Sequence, residues 1–151
     1  MGAYSATASK SGVNTAATTM FNIWSTSGTG YITTIIISTP VAPSTIPDLY
    51  LTRSTARGTT TTSATANAFD PNDAAGAIVL DSAWSAAPTV NAVTSALIRL
   101  PLALANGATF YYTADVLNAP WIRTTAGLAI VNANATGATL GTFVCNAIWR
   151  E

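Results

Sequence analysis

Apolar and polar positions along this chain alternate in short runs broken by turn chemistry, and no 3.6-residue apolar period is sustained. Thr18 to Ser25 carries Met20, Phe21, Ile23 and Trp24 and predicts a strand. Ser25-Thr26-Ser27-Gly28-Thr29-Gly30 follows as a glycine-containing hairpin loop, and Tyr31 to Ser38 is a second strand dense in β-branched residues. Pro40, Pro43 and Pro47 each remove a ladder donor, so that link is an edge or a crossover. In Asp48 to Ser54, Leu49 and Leu51 alternate with Tyr50 and Thr52, as in a half-buried strand.

Thr55 to Ala68 reads as a long Thr-rich surface loop with short β pieces, and Phe69 to Gly76 as a turn built on Asp, Pro, Asn and Gly. Further strands are predicted at Ile78–Trp84, Ser95–Leu100, Thr109–Thr113, Gly127–Ala133 and Leu140–Trp149. Ser85 to Thr94 is a loop carrying Pro88, and Leu102 to Gly107 is either one helical turn or irregular. Residues 1–17 are small and polar and read as a flexible, extended N-terminal arm that orders against a neighbour in an assembly. The expectation is an all-β chain: an arm over 1–17, then a single jelly-roll or β-sandwich domain over 18–151 with eight or nine short antiparallel strands.

Composition adds function to this outline. Only 8% of the 151 residues are charged, against roughly 25% in typical soluble domains, and six basic residues balance six acidic ones. A neutral, hydroxyl-rich surface favours association through shape and apolar contact. It offers no basic footprint for nucleic acid and no polybasic stripe for a membrane. The first ten residues lack the pattern of a signal peptide and no apolar stretch is long enough to span a bilayer, so synthesis in the cytoplasm is expected.

The chain has no histidine, which excludes Ser-His-Asp and Cys-His catalysis and histidine-containing zinc sites. Cys145, the single cysteine, lies in an apolar run and reads as a small core hydrophobe. Asp70 and Asp73 are the close pair of acids; a turn stabilised by its own side chains is favoured over a Ca²⁺ site. Gly28-Thr29-Gly30 lacks the rest of a dinucleotide fingerprint, and the Asn134-Ala135-Thr136 sequon is expected by chance in a Thr-rich chain. No enzyme activity, cofactor or metal is therefore expected.

Trp24 and Trp149 sit in strong strand patterns and are expected in the core. Trp84 and Trp121 sit in loop-like contexts, where core and interface roles are equally open. Arg99, inside Leu97-Ile98-Arg99-Leu100-Pro101, calls for a carboxylate partner within or between subunits, or else a solvated strand face. With Arg123 beside Trp121, and Tyr4 and Lys10 on the arm, the candidate contact residues are Tyr4, Lys10, Trp84, Arg99, Trp121 and Arg123.

The order of the segments RGTTTTSATANAF, DPNDAAG, SAWSAAPTV, LIRLPL and LAIVNANATG, from the first strand to the C-terminus, resembles a diffuse group of phage virion structural proteins. The resemblance implies a jelly-roll capsid-decoration (cement) or minor capsid subunit, often trimeric. Its partners would be the major capsid protein and further copies of itself, on the outside of the phage head. The alternative is a carbohydrate- or receptor-binding sandwich of a head or tail fibre, with Trp84, Trp121 and the tyrosines stacking on sugar rings.

Overall fold

The computed structural model describes residues 1–11, 18–102, 105, 107–115, 117–134 and 140–151. These residues form thirteen strands. They are β1 (Ala3–Ser11), β2 (Thr19–Ser25), β3 (Thr29–Thr39), β4 (Asp48–Ala56), β5 (Thr59–Ala64), β6 (Asn67–Ala68) and β7 (Ile78–Ala86). After these come β8 (Thr89–Val90), β9 (Ile98–Pro101), β10 (Ala108–Thr113), β11 (Trp121–Arg123), β12 (Gly127–Asn132) and β13 (Thr142–Arg150). A 3₁₀ turn at Val93–Ser95 is the one helical element among the described residues, and none of their helices is long and apolar enough to cross a membrane.

All pairings are antiparallel, in two sheets packed face to face. The first runs β10-β3-β13-β1-β6, with β11 sharing the outer edge of β3 with β10. The second runs β5-β7-β2-β12-β4-β8, with β9 also on the outer edge of β4. The pairs are nested: β1 with β13, β2 with β12, β3 with β10 and β11, β4 with β8 and β9. A chain doubled back on itself as one long hairpin and then rolled across two sheets gives this order, which is that of a jelly roll. β5, β6 and β7 are an excursion between β4 and β8 that widens both sheets.

The N-terminal segment departs from expectation. Residues 3–11 are not a loose arm; they form β1, which pairs with β13 at nine consecutive positions from Ala3↔Arg150 to Ser11↔Thr142. The physical reason lies in Tyr4, Ala6 and Ala8 alternating with Ser5, Thr7 and Ser9, a strand period written in side chains too small to register as apolar. Tyr4 and Ala6 are buried. Residues 12–17, the rest of the expected arm, lie outside the described residues, as do parts of the Leu102–Gly107 segment and of the Asn134-Ala135-Thr136 sequon.

The Ser25–Gly30 loop also departs from expectation. It is no hairpin, because β2 lies in the second sheet and β3 in the first. Strands apolar on one face must close on a facing layer, and this loop carries the chain from one layer to the other. Gly30 makes the crossing possible: a Cβ there would lie 2.3 Å from Ile78 Cδ1 and 3.0 Å from the Arg150 carbonyl oxygen. The additional strands beyond nine are mostly short edge pieces such as β6, β8 and β11, too brief to show a period in sequence.

Between the sheets lie Phe21, Ile23, Ile35, Leu51, Leu80, Ile130, Phe143 and Trp149, all essentially inaccessible. Trp24 is also buried, so both tryptophans expected in the core are there. Cys145 is fully buried on β13, and burial pushes its thiol pKa far up. The outer face of the second sheet is covered too: Tyr50, Ala129 and Val131 pack under Val90 and Ala96. Asp70 closes its turn by accepting from the Asn72 N–H at 2.9 Å, and its carbonyl accepts from the Asp73 N–H at 3.0 Å.

Candidate interaction surface

The three residues of β11 alternate out, in, out: Trp121 and Arg123 are exposed, and Ile122 between them is fully buried. The buried Ile122 pins a short edge strand to β3 and so fixes the direction of its neighbours. Trp121 pairs directly with Tyr31 of β3, and their rings meet edge to face at 5.2 Å and 72°. The Arg123 guanidinium lies 4.8 Å from the Trp121 ring centroid, within cation–π range. An aromatic held on two sides in this way keeps 43% of its surface in solvent.

Arg53 completes the cluster from the other sheet. Its position on β4 follows Leu49 and Leu51 in the inward alternation, but it stands at the end of the sandwich, where the guanidinium can emerge. There it donates to the Trp121 carbonyl. Burial, and secondarily the charge of Arg123, hold the Arg53 pKa below its ordinary value. Among the described residues no carboxylate lies within ion-pair distance of either arginine; the two salt bridges are Arg57–Asp81 and Arg99–Asp48.

Two shallow cavities flank Trp121. One of about 280 Å³ is lined by Arg53, Trp121, Arg123 and Ala126. The other, of about 370 Å³, is bordered by Arg53, Leu97, Ile98, Tyr112, Asn118, Ala119, Pro120 and Trp121. Trp121 and Arg53 belong to both, Arg123 only to the first and Leu97 and Ile98 only to the second, so the groove is more cationic at one end and more apolar at the other. Chemically it suits an apolar or aromatic side chain adjoining a carboxylate.

The other expected contact residues fall elsewhere. Tyr4 is corrected to a core residue: 6% exposed, stacked on Trp149 at 6.4 Å, with its hydroxyl donating to the Ala74 carbonyl at 2.9 Å. Arg99 finds its carboxylate within the chain, on Asp48 at 2.5 Å, and lies 5.8 Å from the Tyr50 ring. Both charged side chains are about half exposed (54% and 49%), so the pair contributes no more than about 1 kcal/mol. Lys10 and Trp84, far apart in sequence, come together: Lys10 Nζ sits 4.6 Å from the Trp84 ring centroid and donates to the Thr19 carbonyl at 3.0 Å. Burial lowers the Lys10 pKa, and Trp84 Nε1 is buried with no acceptor among the described residues.

Sequence reasoning missed Arg53, Tyr31 and Leu97 as members of the Trp121 cluster. The one local signal was a charged residue continuing the Leu49, Leu51 alternation; the rest depends on register between strands distant in sequence. No protein-family model matches the chain, and no curated protein is significantly similar to it.

Proposed function

We propose that this chain is a virion structural protein: a decoration or cement subunit that associates with further copies of itself, as a trimer, and with the major capsid protein on the outside of a phage head. The single observation that carries this reading is Trp121, exposed yet held between Tyr31 and Arg123 on a rigid sheet edge. Preorganised tryptophan and arginine are the residue types that dominate protein–protein binding energy. Low charge and a sandwich whose second sheet is covered on both faces support the same role, because such a body adds buried area without long-range repulsion. Each contact would bury roughly 1,600 Å².

The test uses shells assembled without this protein. Full-length protein should bind them and raise the temperature at which they lose their contents. Trp121→Ala should weaken binding by about 2 kcal/mol, roughly 30-fold. Shells equally heat-stable with and without the protein, together with no binding, would end the proposal.

A second reading is favoured by the same exposed ring: a sugar-binding module of a fibre, with Trp121 as the stacking platform. Its cavities are walled by arginines and apolar side chains, with no carboxylate lining them. Binding of the isolated domain to a glycan array, lost in Trp121→Ala, would select this reading over the first.

A further inference from the structure

We infer that copies of this chain associate head to tail, the Phe69–Asp73 turn of one seating in the Trp121 groove of the next. The inference deepens the self-association part of the proposed function and names the surface. One cross-strand row of the first sheet carries it. The Phe69 N–H donates to the Ala3 carbonyl at 2.9 Å, Ala3 pairs with Arg150, Arg150 with Tyr31, and Tyr31 with Trp121. Phe69 and Trp121 therefore end the same row at opposite edges of the sheet, about 19 Å apart at the usual strand spacing.

Both ends are exposed aromatics, Phe69 at 61% and Trp121 at 43%. Their charged neighbours have opposite signs. Beyond Phe69 stand Asp70 and Asp73; around Trp121 stand Arg53 and Arg123. None of these four has an opposite charge within ion-pair distance among the described residues. Asp115, near the basic edge, closes its turn by accepting from the Leu117 and Asn118 N–H groups at 3.0 Å, as Asp70 does from the Asn72 N–H at 2.9 Å, and the two arginines there outweigh this one carboxylate. A neutral chain thus keeps an acidic edge and a basic edge, each with an aromatic ring on offer.

The sign pattern decides the symmetry. A two-fold contact through the groove would set Arg53 and Arg123 against their own copies, and one through the turn would oppose aspartates. A contact joining the two edges pairs opposite charges and lets the Phe69 ring enter the cavity beside Trp121. Such a contact is heterologous, and it closes into a ring when the rotation between neighbours divides a full turn.

The experiment is solution mass by light scattering on the full chain, with two exposed-surface variants, Phe69→Ala and Arg123→Glu. The wild type should be a discrete ring of three copies. Each variant should keep the wild-type circular-dichroism spectrum and a cooperative unfolding transition, and run as a monomer at the same concentration. Mixed in equal amounts, they should form a two-copy species, because the turn of Arg123→Glu can still enter the groove of Phe69→Ala. A monomeric wild type at the highest soluble concentration would overturn the inference. So would variants of unchanged mass, or a mixture that stays monomeric. No shell is present, so failure here leaves shell binding standing, and failure of shell binding leaves this contact standing.

Discussion

Arg57 grips the wholly buried Asp81 carboxylate with two nitrogens, Nε at 2.7 Å and a terminal nitrogen at 2.8 Å. Ser63 and Thr60 donate to the same carboxylate from β5, at 2.5 and 3.3 Å. The β4–β5 turn and the inserted strands are thereby tied to β7 by one acid. The Arg57 pKa is raised, first by this hydrogen bond. Its stabilising effect is therefore complete throughout the neutral range and is lost only as pH rises through a value above that of an ordinary arginine.

Arg57→Ala should destabilise the protein by about 3–5 kcal/mol, because it strands a carboxylate in a dry site. Asp81→Ala should cost less, about 2–3 kcal/mol, since the freed Arg57 side chain is 29% exposed and can turn to water. Urea midpoints at pH 7 check both the sizes and their order. Equal small losses would mean the fork contributes little.

If residues 3–11 are a strand, their removal should be severe. Deleting residues 1–11 strips β13 of one of its two partners, bares that edge and exposes Trp149, so the shortened chain should be unfolded or aggregated. A point test is milder: Ala6→Asp buries a charge and should cost more than about 3 kcal/mol, whereas Thr7→Asp on the opposite face should stay within about 1 kcal/mol. Amide exchange should show Ala6 and Ala8 protected to nearly the global stability.

What could be read from the chain before its structure follows from side-chain size and sequence distance. β2, β3, β4, β12 and β13 were legible because Ile, Leu, Phe and Trp write their alternation plainly. β1 was not, since alanine against serine carries little contrast. β2 and β3 were read as a hairpin because they are neighbours in sequence, whereas each of their sheet partners lies far along the chain, up to β12 and β13. Trp121 and Arg123 were visible as neighbours, but Arg53 and Tyr31 reach them only through register. The partner of Arg99 was anticipated in kind, and Asp48 supplies it.

Glu151 joins the end of β13 to the start of β7. Its carboxylate accepts from the Ala77 and Ile78 N–H groups at 2.7 and 2.9 Å and from Trp149 Nε1 at 2.7 Å. Glu151→Ala should cost about 2 kcal/mol, because it leaves the buried Trp149 N–H without its acceptor. Arg150→Ala next to it, exposed and without an ion pair among the described residues, should change stability by less than about 0.5 kcal/mol. Similar losses for the two would remove the clamp.

The Cys145 thiol predicts a pH dependence. Its folded pKa is raised by burial, so folded protein holds the proton where unfolded protein has lost it. The sign follows: its contribution is intact below the unfolded thiol value and is lost as pH rises past it. Between pH 9 and 10 the wild type should lose about 1 kcal/mol more stability than Cys145→Ala. The native thiol should also resist alkylation until the chain unfolds. Parallel pH curves for the two proteins would show the thiol ionising in place.

Gly30→Ala tests the crossing between layers. The added methyl would lie 2.3 Å from Ile78 Cδ1, far inside contact distance, so β3 or Ile78 must move. Overpacking of this kind costs about 1–3 kcal/mol. Ile78→Val removes the offending carbon and by itself costs about 0.5–1.5 kcal/mol, because Ile78 is fully buried. If the clash with Cδ1 sets the cost, the double variant should be more stable than the two single losses added together, by about 1 kcal/mol. Strict additivity in urea unfolding would instead place the cost on the Arg150 carbonyl, 3.0 Å from the same methyl, which no trimming of Ile78 can relieve.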